Sequence, residues 1–384
     1  MTELVVVRAA DERALVGEMS RLVGFLDRVS DVSLTDVAYT CSLTSGESVI
    51  SIIADDVPSL RARLSSALGR LGSGNARRLR DKSGTYYFRD HLLGPGKGKL
   101  AFMFPGVMSF YPDMMRDLAI AYPECRSAFD ELEEALVEES GEFVPSSFVF
   151  PPAPYYRHDA DIFSSGAYAQ ALVSTYSACA ALVRLLRNGG VFPDGVVGFA
   201  GGDLAAVVCS GAAGLRPPRP DRVRVLREIY KLVGKAVDHA GLPEVAMISV
   251  LLRREGEIDA LVRSFPPDKV AIAVDFSPRQ KTYAVAIDFE DEVMRTFSEA
   301  GVRAVKLALN RPFNTPMCEK FVPFIRRFSV GWFRREPECE VYSCATGSLI
   351  TGGLKAGRDD IAGRWARPVR FGDTVRRMHD DGYR

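Results

Sequence analysis

Residues 196–205 read VVGFAGGDLA and continue into the alanine-rich segment AVVCSGAAG. Two valines, a run of small residues and this continuation predict a buried strand that turns sharply into a helix, because glycine tolerates backbone angles that other residues disfavour. The pattern is typical of a nucleophile elbow, in which the turn presents a reactive side chain at its tip. The tip residue is Ala200, which has no nucleophilic atom. The sequence therefore predicts the turn without its reactive group.

The composition is that of an ordinary soluble globular protein, with 47% hydrophobic and 26% charged residues among 384. Formal net charge is zero, which argues against a nucleic-acid footprint or an anionic membrane surface as partner. The most apolar window, residues 196–215, contains Asp203 and several glycines. It therefore predicts a buried strand–turn–helix and no transmembrane span.

The cysteines and histidines give no sign of a disulfide framework or a metal site. None of the seven cysteines forms a CxxC pair, so reduced thiols and a cytoplasmic location are expected. The four histidines never pair at helical ligand spacing, so no bound metal is expected.

The order of predicted elements divides the chain into three parts. Residues 1–94 hold a small α/β domain, which a polar, glycine-rich connector at 94–99 separates from the rest. Strands and helices then alternate over 99–240 and 308–384, which favours a parallel sheet covered by helices. Residues 241–307 have the strand–helix–strand–strand–helix–strand order of a ferredoxin-like subdomain. The predicted fold class is α/β, with this subdomain inserted in a larger, α/β-hydrolase-like one.

Several segments, in order along the chain, resemble the acyltransferase domain of type I polyketide and polyunsaturated fatty acid synthases, which is related to malonyl-CoA:acyl carrier protein transacylase. Residues 4–75 resemble the linker domain between a ketosynthase and its acyltransferase. The segments that carry the resemblance are FMFPGVMSFYPDM (102–114), FVFPPAPY (148–155), YAQALVSTYSACAAL (168–182), GFAGGDLAAVVCSGAAG (198–214), RPFNTPM (311–317), YSCATGSLIT (342–351) and WARPVRFGDTVRRM (365–378). The resemblance implies a fragment of a larger synthase.

In the family that these segments resemble, a serine attacks the thioester, a histidine takes its proton and backbone N–H groups hold the oxyanion. The resemblance places Ala200 at the serine, Asn314 at the general-base histidine and Phe199 at a second histidine before the serine. Val107 replaces a glutamine of the entry strand. Acyl transfer through a serine ester is therefore not expected.

The resemblance also implies positions at which this chain could bind an acyl group. The arginine that clamps the substrate carboxylate aligns best with Ile229, with Arg227 and Lys231 as alternatives. Backbone donors at Val107 and Gly201 do not depend on side chains, so weak acyl binding is compatible with the sequence. The resemblance implies five positions for residual acyl binding: Val107, Gly201, Asp203, Ile229 and Asn314. Asp203 replaces a glutamate of the family and is expected to cap or brace the turn.

Substitute nucleophiles have weaker support. Cys209 is expected in the core, Ser109 in a structural loop, and Cys318 is the least unfavourable alternative, although no histidine stands near it in sequence. His158 is expected on a surface loop.

The sequence leads to a non-catalytic acyltransferase-like domain with a structural role in a polyketide or fatty acid megasynthase. One alternative is an enzyme with altered, non-serine chemistry, such as hydrolysis or decarboxylation; another is an acyltransferase inactivated by engineering. Expected partners are the neighbouring ketosynthase and an acyl carrier protein, without nucleic acid or membrane. No cofactor is expected beyond weak binding of a CoA or phosphopantetheine thioester. Basic segments at 216–227 and 324–328 are interpreted as solvated faces or as contacts for an acidic carrier protein.

Overall fold

The computed structural model describes residues 2–137, 144–151, 165–212, 222–231 and 241–384, apart from positions 73, 75 and 95. The predicted roles of His158, of residues 152–155 and of the basic stretch 216–221 fall outside the described residues. The chain forms two compact units, Met1–Lys97 and Gly98–Arg384. The predicted domain ranges remain a prediction.

The N-terminal unit is a four-stranded antiparallel sheet in the order β1–β2–β4–β3, with helices packed on its apolar face. Alternate residues of β1 and β2, among them Val5 and Ile50, are buried, as expected for a sheet covered on one side. A capping box between Asp56 and Ser59 begins α3. The elements are β1 Glu3–Ala9, α1 Glu12–Arg28, α2 Leu34–Ser42, β2 Ser48–Ala54, α3 Val57–Leu71, β3 Arg78–Arg80 and β4 Thr85–Phe88.

The β3–β4 hairpin has no clear signal in the sequence between residue 75 and the connector at 94–99. The turn is stabilised by the Asp81 carboxylate, which accepts hydrogen bonds from the backbone N–H groups of Ser83 and Thr85 at 3.0 and 3.2 Å. Gly84 follows with φ +94°, in the left-handed region that favours glycine. The short strands lack a periodic apolar pattern long enough to identify them.

The second unit holds two sheets. One has the order β12–β11–β6–β5, in which β5, β6 and β11 are parallel. The elements of this unit are β5 Ala101–Phe104, α4 Arg116–Ala121, α5 Pro123–Leu136, α6 Pro145–Val149, α7 Ser165–Asn188, β6 Gly195–Gly198, α8 Asp203–Cys209, α9 222–231, β7 Val245–Leu251, α10 Asp259–Arg263, β8 Val270–Ser277, β9 Gln280–Ala286, α11 Glu290–Glu299, β10 Arg303–Lys306, α12 Val322–Trp332, β11 Glu340–Ser343, β12 Ser348–Leu349, α13 Gly353–Gly363, β13 Val369–Arg370 and α14 Phe371–Asp380.

The other sheet confirms the ferredoxin-like prediction. Its order β10–β7–β9–β8 is that of a split strand–helix–strand–strand–helix–strand unit, with antiparallel neighbours throughout. Strand β13, from the C-terminal part of the chain, extends it by pairing in parallel with β8. The α/β fold class with two subdomains is confirmed, and the larger subdomain contributes one strand to the sheet of the smaller.

One helix of the second unit differs from the sequence-based expectation. The apolar spacing within residues 111–136 predicts a single helix, but the structure divides it into α4 and α5 at Pro123, which lacks the N–H needed to continue a helix. Helix α7 is long and apolar enough to span a membrane, with a mean hydropathy of 1.3 in an 18-residue window within Tyr168–Asn188. Because 61% of its apolar window is buried inside the protein, α7 has the character of a core helix.

Candidate functional site

The elbow forms as the sequence predicts, between strand β6 and helix α8. After Gly198 the chain passes through a single 3₁₀ turn, Ala200–Gly202, and α8 begins at Asp203. Ala200 has φ +48°, in the left-handed region that is unfavourable for residues other than glycine. The Phe199 N–H donates to the Phe104 carbonyl at 2.8 Å, which fixes the chain immediately before the turn. The strained conformation of a nucleophile elbow is therefore present at an alanine.

Two glycines allow the turn to pack closely against strands β5 and β6. A Cβ atom on Gly198 would lie 2.2 Å from the backbone nitrogen of Asp203. One on Gly202 would lie 2.3 Å from the carbonyl oxygen of Phe104. Both distances are far below van der Waals contact with immobile backbone atoms, so side chains are excluded at these two positions.

Below the turn lies a small crevice that brings together four of the predicted site residues: Ala200, Gly201, Asp203 and Asn314. Its volume is about 30 Å³, which is room for about one water molecule. The rest of its wall is contributed by Tyr168, Leu172, Leu204, Phe313, Ile361, Arg364 and Trp365. Large aromatic and aliphatic side chains thus occupy the space around the turn.

The two backbone donors expected of an oxyanion hole lie near each other. A Cβ atom on Gly201 would be 3.8 Å from the Val107 nitrogen. Within the described residues, neither the Val107 nor the Gly201 N–H donates a hydrogen bond to a protein acceptor. This arrangement leaves both groups available to a ligand oxygen.

Asn314 is held by the chain segment that follows α13. Its backbone N–H donates to the Trp365 carbonyl at 2.9 Å, and its side-chain Nδ2 donates to the Arg364 carbonyl at 3.0 Å. A neutral amide is not a proton acceptor in the range in which a histidine works. Asn314 therefore provides no general base beside the turn.

Phe199 is not among the described residues that line the crevice. Its ring stacks on Phe276 of β8 with centroids 4.7 Å apart and meets Phe371 at the start of α14 edge-on at 5.5 Å. These contacts join the elbow, the ferredoxin-like sheet and the last helix through apolar packing. A histidine at this position would replace part of this packing with a polar ring.

Asp203 belongs to a buried ionic network with Arg364 and Asp360. Its Oδ2 lies 2.7 Å from Nη1 of Arg364, whose Nη2 lies 2.5 Å from Oδ2 of Asp360. The Ser343 hydroxyl donates to Asp360 at 2.6 Å. The Asp203 carboxylate thus links the first residue of α8 to Arg364, and whether it caps or braces the turn remains a prediction. The i,i+4 spacing of Asp360 and Arg364 was the only sequence signal of this network.

Burial dominates the electrostatics of the network. Removal from solvent raises the pKa of Asp203 to about 7, although the Arg364 guanidinium opposes this change and the Asp360 carboxylate adds to it. One guanidinium facing two buried carboxylates leaves an excess negative charge, which protonation of Asp203 would neutralise.

Other predicted residues do not reach the crevice. Ile229 is fully buried in the core, and Arg227 donates from Nε to the Ala135 carbonyl at 3.1 Å. Neither they nor Lys231 is among the described residues lining the crevice. Within the described part of the chain, no group of three or more His, Cys, Asp or Glu side chains is arranged for a metal ion.

The substitute nucleophiles are poorly placed for reaction. Cys318 is fully buried, its Sγ lies 3.1 Å from the Pro312 carbonyl oxygen, and burial raises the pKa of its thiol to about 12. Burial likewise raises the pKa of Cys209 to about 12. Ser109 is exposed at the end of a 3₁₀ turn. A thiol held neutral by burial is a weak nucleophile.

The chain matches no model of a protein family. It is 26% identical over 381 residues to polyketide synthase GfsA of Streptomyces halstedii, covering 97% of this chain and 5% of that protein. It is 27% identical over 380 residues to the mycoketide-CoA synthase of Mycobacterium tuberculosis, covering 97% and 8%. The chain thus spans less than a tenth of the length of these relatives.

Solved structures have the same fold. The acyltransferase domain of SpnD, in complex with a substituted malonyl group, gives a TM-score of 0.73 at 18% identity, covering 99% of this chain and 82% of that one. A malonyl-transacylase in complex with a type II polyketide synthase acyl carrier protein gives 0.63 at 21% identity, covering 74% and 86%. The chain is therefore a relative of polyketide synthases that has the fold of their acyltransferase domains and of malonyl-CoA:ACP transacylases.

Proposed function

We propose that the chain is a non-catalytic acyltransferase-like domain that serves an architectural role in a polyketide or fatty acid megasynthase. The observation that carries the proposal is the elbow: its strained turn is intact, but its tip is Ala200. Acyl exchange through a covalent intermediate requires an attacking atom and a group that takes its proton. Ala200 supplies no attacking atom, and Asn314 supplies no base.

The size of the crevice supports the same proposal. A volume of about 30 Å³ holds a water molecule but not an acyl thioester, for which small-molecule sites of roughly 300–1,000 Å³ are usual. Phe199 adds packing to Phe276 where a reactive histidine is expected. The side chains at this site therefore stabilise the fold. In an acyltransferase, the side chains at the same place would act on the substrate.

Neighbouring domains of the same synthase are the proposed partners. The relatives are far longer than this chain, and one solved structure with its fold is bound to an acyl carrier protein. By analogy with these proteins, we expect a ketosynthase and an acyl carrier protein to contact the domain. Acyl groups are expected to be loaded by another acyltransferase.

The test is incubation of the purified protein with radiolabelled malonyl-CoA and acetyl-CoA. We expect no stable adduct and no transfer to an acyl carrier protein. A labelled, acid-stable adduct on the wild-type chain would refute the proposal. The triple variant Ala200→Ser, Phe199→His and Asn314→His is the matched comparison, since it restores the three reactive groups on the same backbone; labelling of this variant alone would show that only those groups are missing.

One observation favours the alternative of altered chemistry. Asp203 lines the crevice with a pKa raised to about 7, which suits a group that exchanges protons near neutral pH. Water activated there would hydrolyse a thioester without a protein adduct. Release of free CoA by the wild-type protein, abolished in Asp203→Asn, would support this alternative over the architectural role.

A further inference from the structure

The sheet of the N-terminal unit carries apolar side chains on both of its faces. Helices cover the inner face, where alternate residues such as Val5 and Ile52 are fully buried. The residues between them point to the outer face, where an antiparallel sheet in contact with water usually carries polar side chains. On three of the strands most of these outward residues are instead apolar: Leu4 and Val6 of β1, Val49 and Ile53 of β2, and Tyr86 and Phe88 of β4.

The strand register brings the apolar side chains of the outer face together. Leu4 lies opposite Ile53, and Tyr86 lies opposite Ser51 on the neighbouring strand. Several of the side chains are exposed in the folded chain: Leu4 by 57%, Ile53 by 38%, Phe88 by 37% and Tyr86 by 36%. Contiguous apolar patches that stay exposed mark interaction sites, since leaving them in water is unfavourable. The outer face is therefore a candidate surface for a partner.

Arginines flank the apolar residues of the outer face. Arg78 of the edge strand β3 lies opposite Phe88. Arg80 of the same strand lies opposite Tyr86, and Arg8 points to this face from β1. Among the described residues, none of these three guanidinium groups forms an ion pair or a hydrogen bond. Their donors are therefore available to acidic groups of a partner.

The acidic residues that adjoin these strands are engaged elsewhere or lie apart from the arginines of β3. They are Glu47, Asp55, Asp81 and Asp90. Asp81 accepts hydrogen bonds from its own turn, and Asp90 pairs with Arg77 at 3.2 Å. In the described part of the chain, no carboxylate lies within ion-pair distance of Arg78 or Arg80. The side of the outer face formed by β3 is therefore positively charged.

We infer that the outer face binds an amphipathic α-helix of a partner protein, with acidic residues beside its apolar stripe. Helices already cover the inner face, and a helical layer on the other side is a common way to bury the second face of a sheet. The apolar stripe packs on Leu4, Ile53 and Tyr86, and the acidic residues lie over Arg78 and Arg80.

The charge of the outer face argues against a second copy of this chain as the partner. A symmetric dimer through this face would place the arginines of both copies in one interface, where like charges are unfavourable. The inference uses residues of the N-terminal unit alone. It is independent of whether the elbow is catalytic.

The test is a titration of a fluorescently labelled synthetic peptide with the full chain, followed by anisotropy. The peptide forms a helix of about four turns or more, with leucines at i, i+3, i+4 and i+7 and glutamates on both sides of them. A matched peptide has lysines in place of the glutamates. We expect saturable binding of the glutamate peptide that weakens at high salt, and binding of the lysine peptide that is weaker by about tenfold or more.

Variants of the chain locate the binding. Ile53→Glu places a negative charge among the apolar residues and is expected to abolish binding of the glutamate peptide. The matched control Ile120→Glu introduces the same charge at an exposed isoleucine of α4, in the other unit, and is expected to leave binding unchanged. Combining Arg78→Gln with Arg80→Gln is expected to weaken binding by about fivefold or more, because it removes two charges that face the glutamates. All four positions are exposed, so we expect these variants to fold, which circular dichroism checks.

The inference is overturned if neither peptide binds saturably, if the lysine peptide binds as tightly as the glutamate peptide, or if Ile53→Glu binds like the parent. Exposed aromatic side chains on a sheet also stack on nucleic-acid bases. Saturable binding of single-stranded oligouridylate that is lost in Tyr86→Ala would assign the outer face to nucleic acid and would equally overturn the inference.

Discussion

The rings of Phe199 and Phe276 stack with their centroids 4.7 Å apart, joining the elbow of the larger subdomain to strand β8 of the ferredoxin-like one. Phe371 packs on the same ring edge-on at 5.5 Å. These contacts lie directly beside the turn that carries Ala200. The turn is thus stabilised by apolar packing at a position where the resemblance to acyltransferases predicts a histidine.

Phe199→Ala is expected to lower the free energy of unfolding by roughly 2–4 kcal/mol, since it removes a half-buried ring and two aromatic contacts. Denaturant titration followed by circular dichroism measures the change. Tyr111→Ala removes an aromatic ring that is mostly exposed and is expected to cost less than about 1 kcal/mol. Equal losses in the two variants would contradict a stabilising role for the stack.

Arg364→Leu is expected to destabilise the protein by roughly 3–5 kcal/mol, because it leaves the Asp203 and Asp360 carboxylates buried without a counter-charge. Adding Asp203→Asn and Asp360→Asn to that variant removes both uncompensated charges and is expected to recover much of the loss. Thermal and denaturant unfolding of the single and triple variants measure the coupling. Additive losses would show that the three groups do not act as a network.

The stability contribution of Asp203 is expected to fall as pH rises from about 4 to about 7. Burial raises the pKa of this carboxyl from 3.8 to about 7 in the folded protein, so over this interval the folded state holds a proton that the unfolded state has lost. Stability decreases with pH wherever the folded state binds more protons, here by up to about 1.4 kcal/mol per pH unit. Unfolding curves at several pH values measure it.

Asp203→Asn is the control for this pH dependence, because the amide cannot titrate. The stability of the variant relative to the parent is expected to improve between pH 4 and 7 and then to level off. Other titrating groups are shared by both proteins and cancel in the difference. Parallel curves for parent and variant would mean that Asp203 keeps an ordinary pKa in the folded state.

The sequence predicted the elements whose signal is local. The elbow at 196–205 and the strand–helix order of the ferredoxin-like subdomain follow from short runs of small, apolar or β-branched residues, and the structure confirms both. The sequence also shows that the elbow tip has no nucleophile, because the residue there is Ala200. Whether the site is inactive remains a prediction.

What the sequence could not predict are pairings between distant parts of the chain. No local pattern around Asp203 predicts its ion pair with Arg364, because the two residues are far apart in the chain. No local pattern around Phe199 predicts its stacking on Phe276, because that contact joins the two subdomains. The β3–β4 hairpin was missed for another reason: its strands are too short to show a period. The assignment of Ile229 to a clamp position came from alignment alone, and the structure places this residue in the core.

Close packing at the elbow gives a test of why Gly202 is a glycine: because of its backbone angles, or because a side chain has no room there. Gly202 has φ −66° and ψ −15°, angles that alanine adopts readily, but a Cβ atom would lie 2.3 Å from the Phe104 carbonyl oxygen. Gly202→Ala is therefore expected to cost roughly 2 kcal/mol or more through displacement of β5 from the turn. Gly17→Ala is the matched control: this exposed glycine of α1 has no atom within 4 Å of a new Cβ, so alanine is expected to stabilise by up to about 1 kcal/mol. Equal effects of the two substitutions on denaturant unfolding would mean that helix propensity, and not the approach of β5, makes glycine necessary at the elbow.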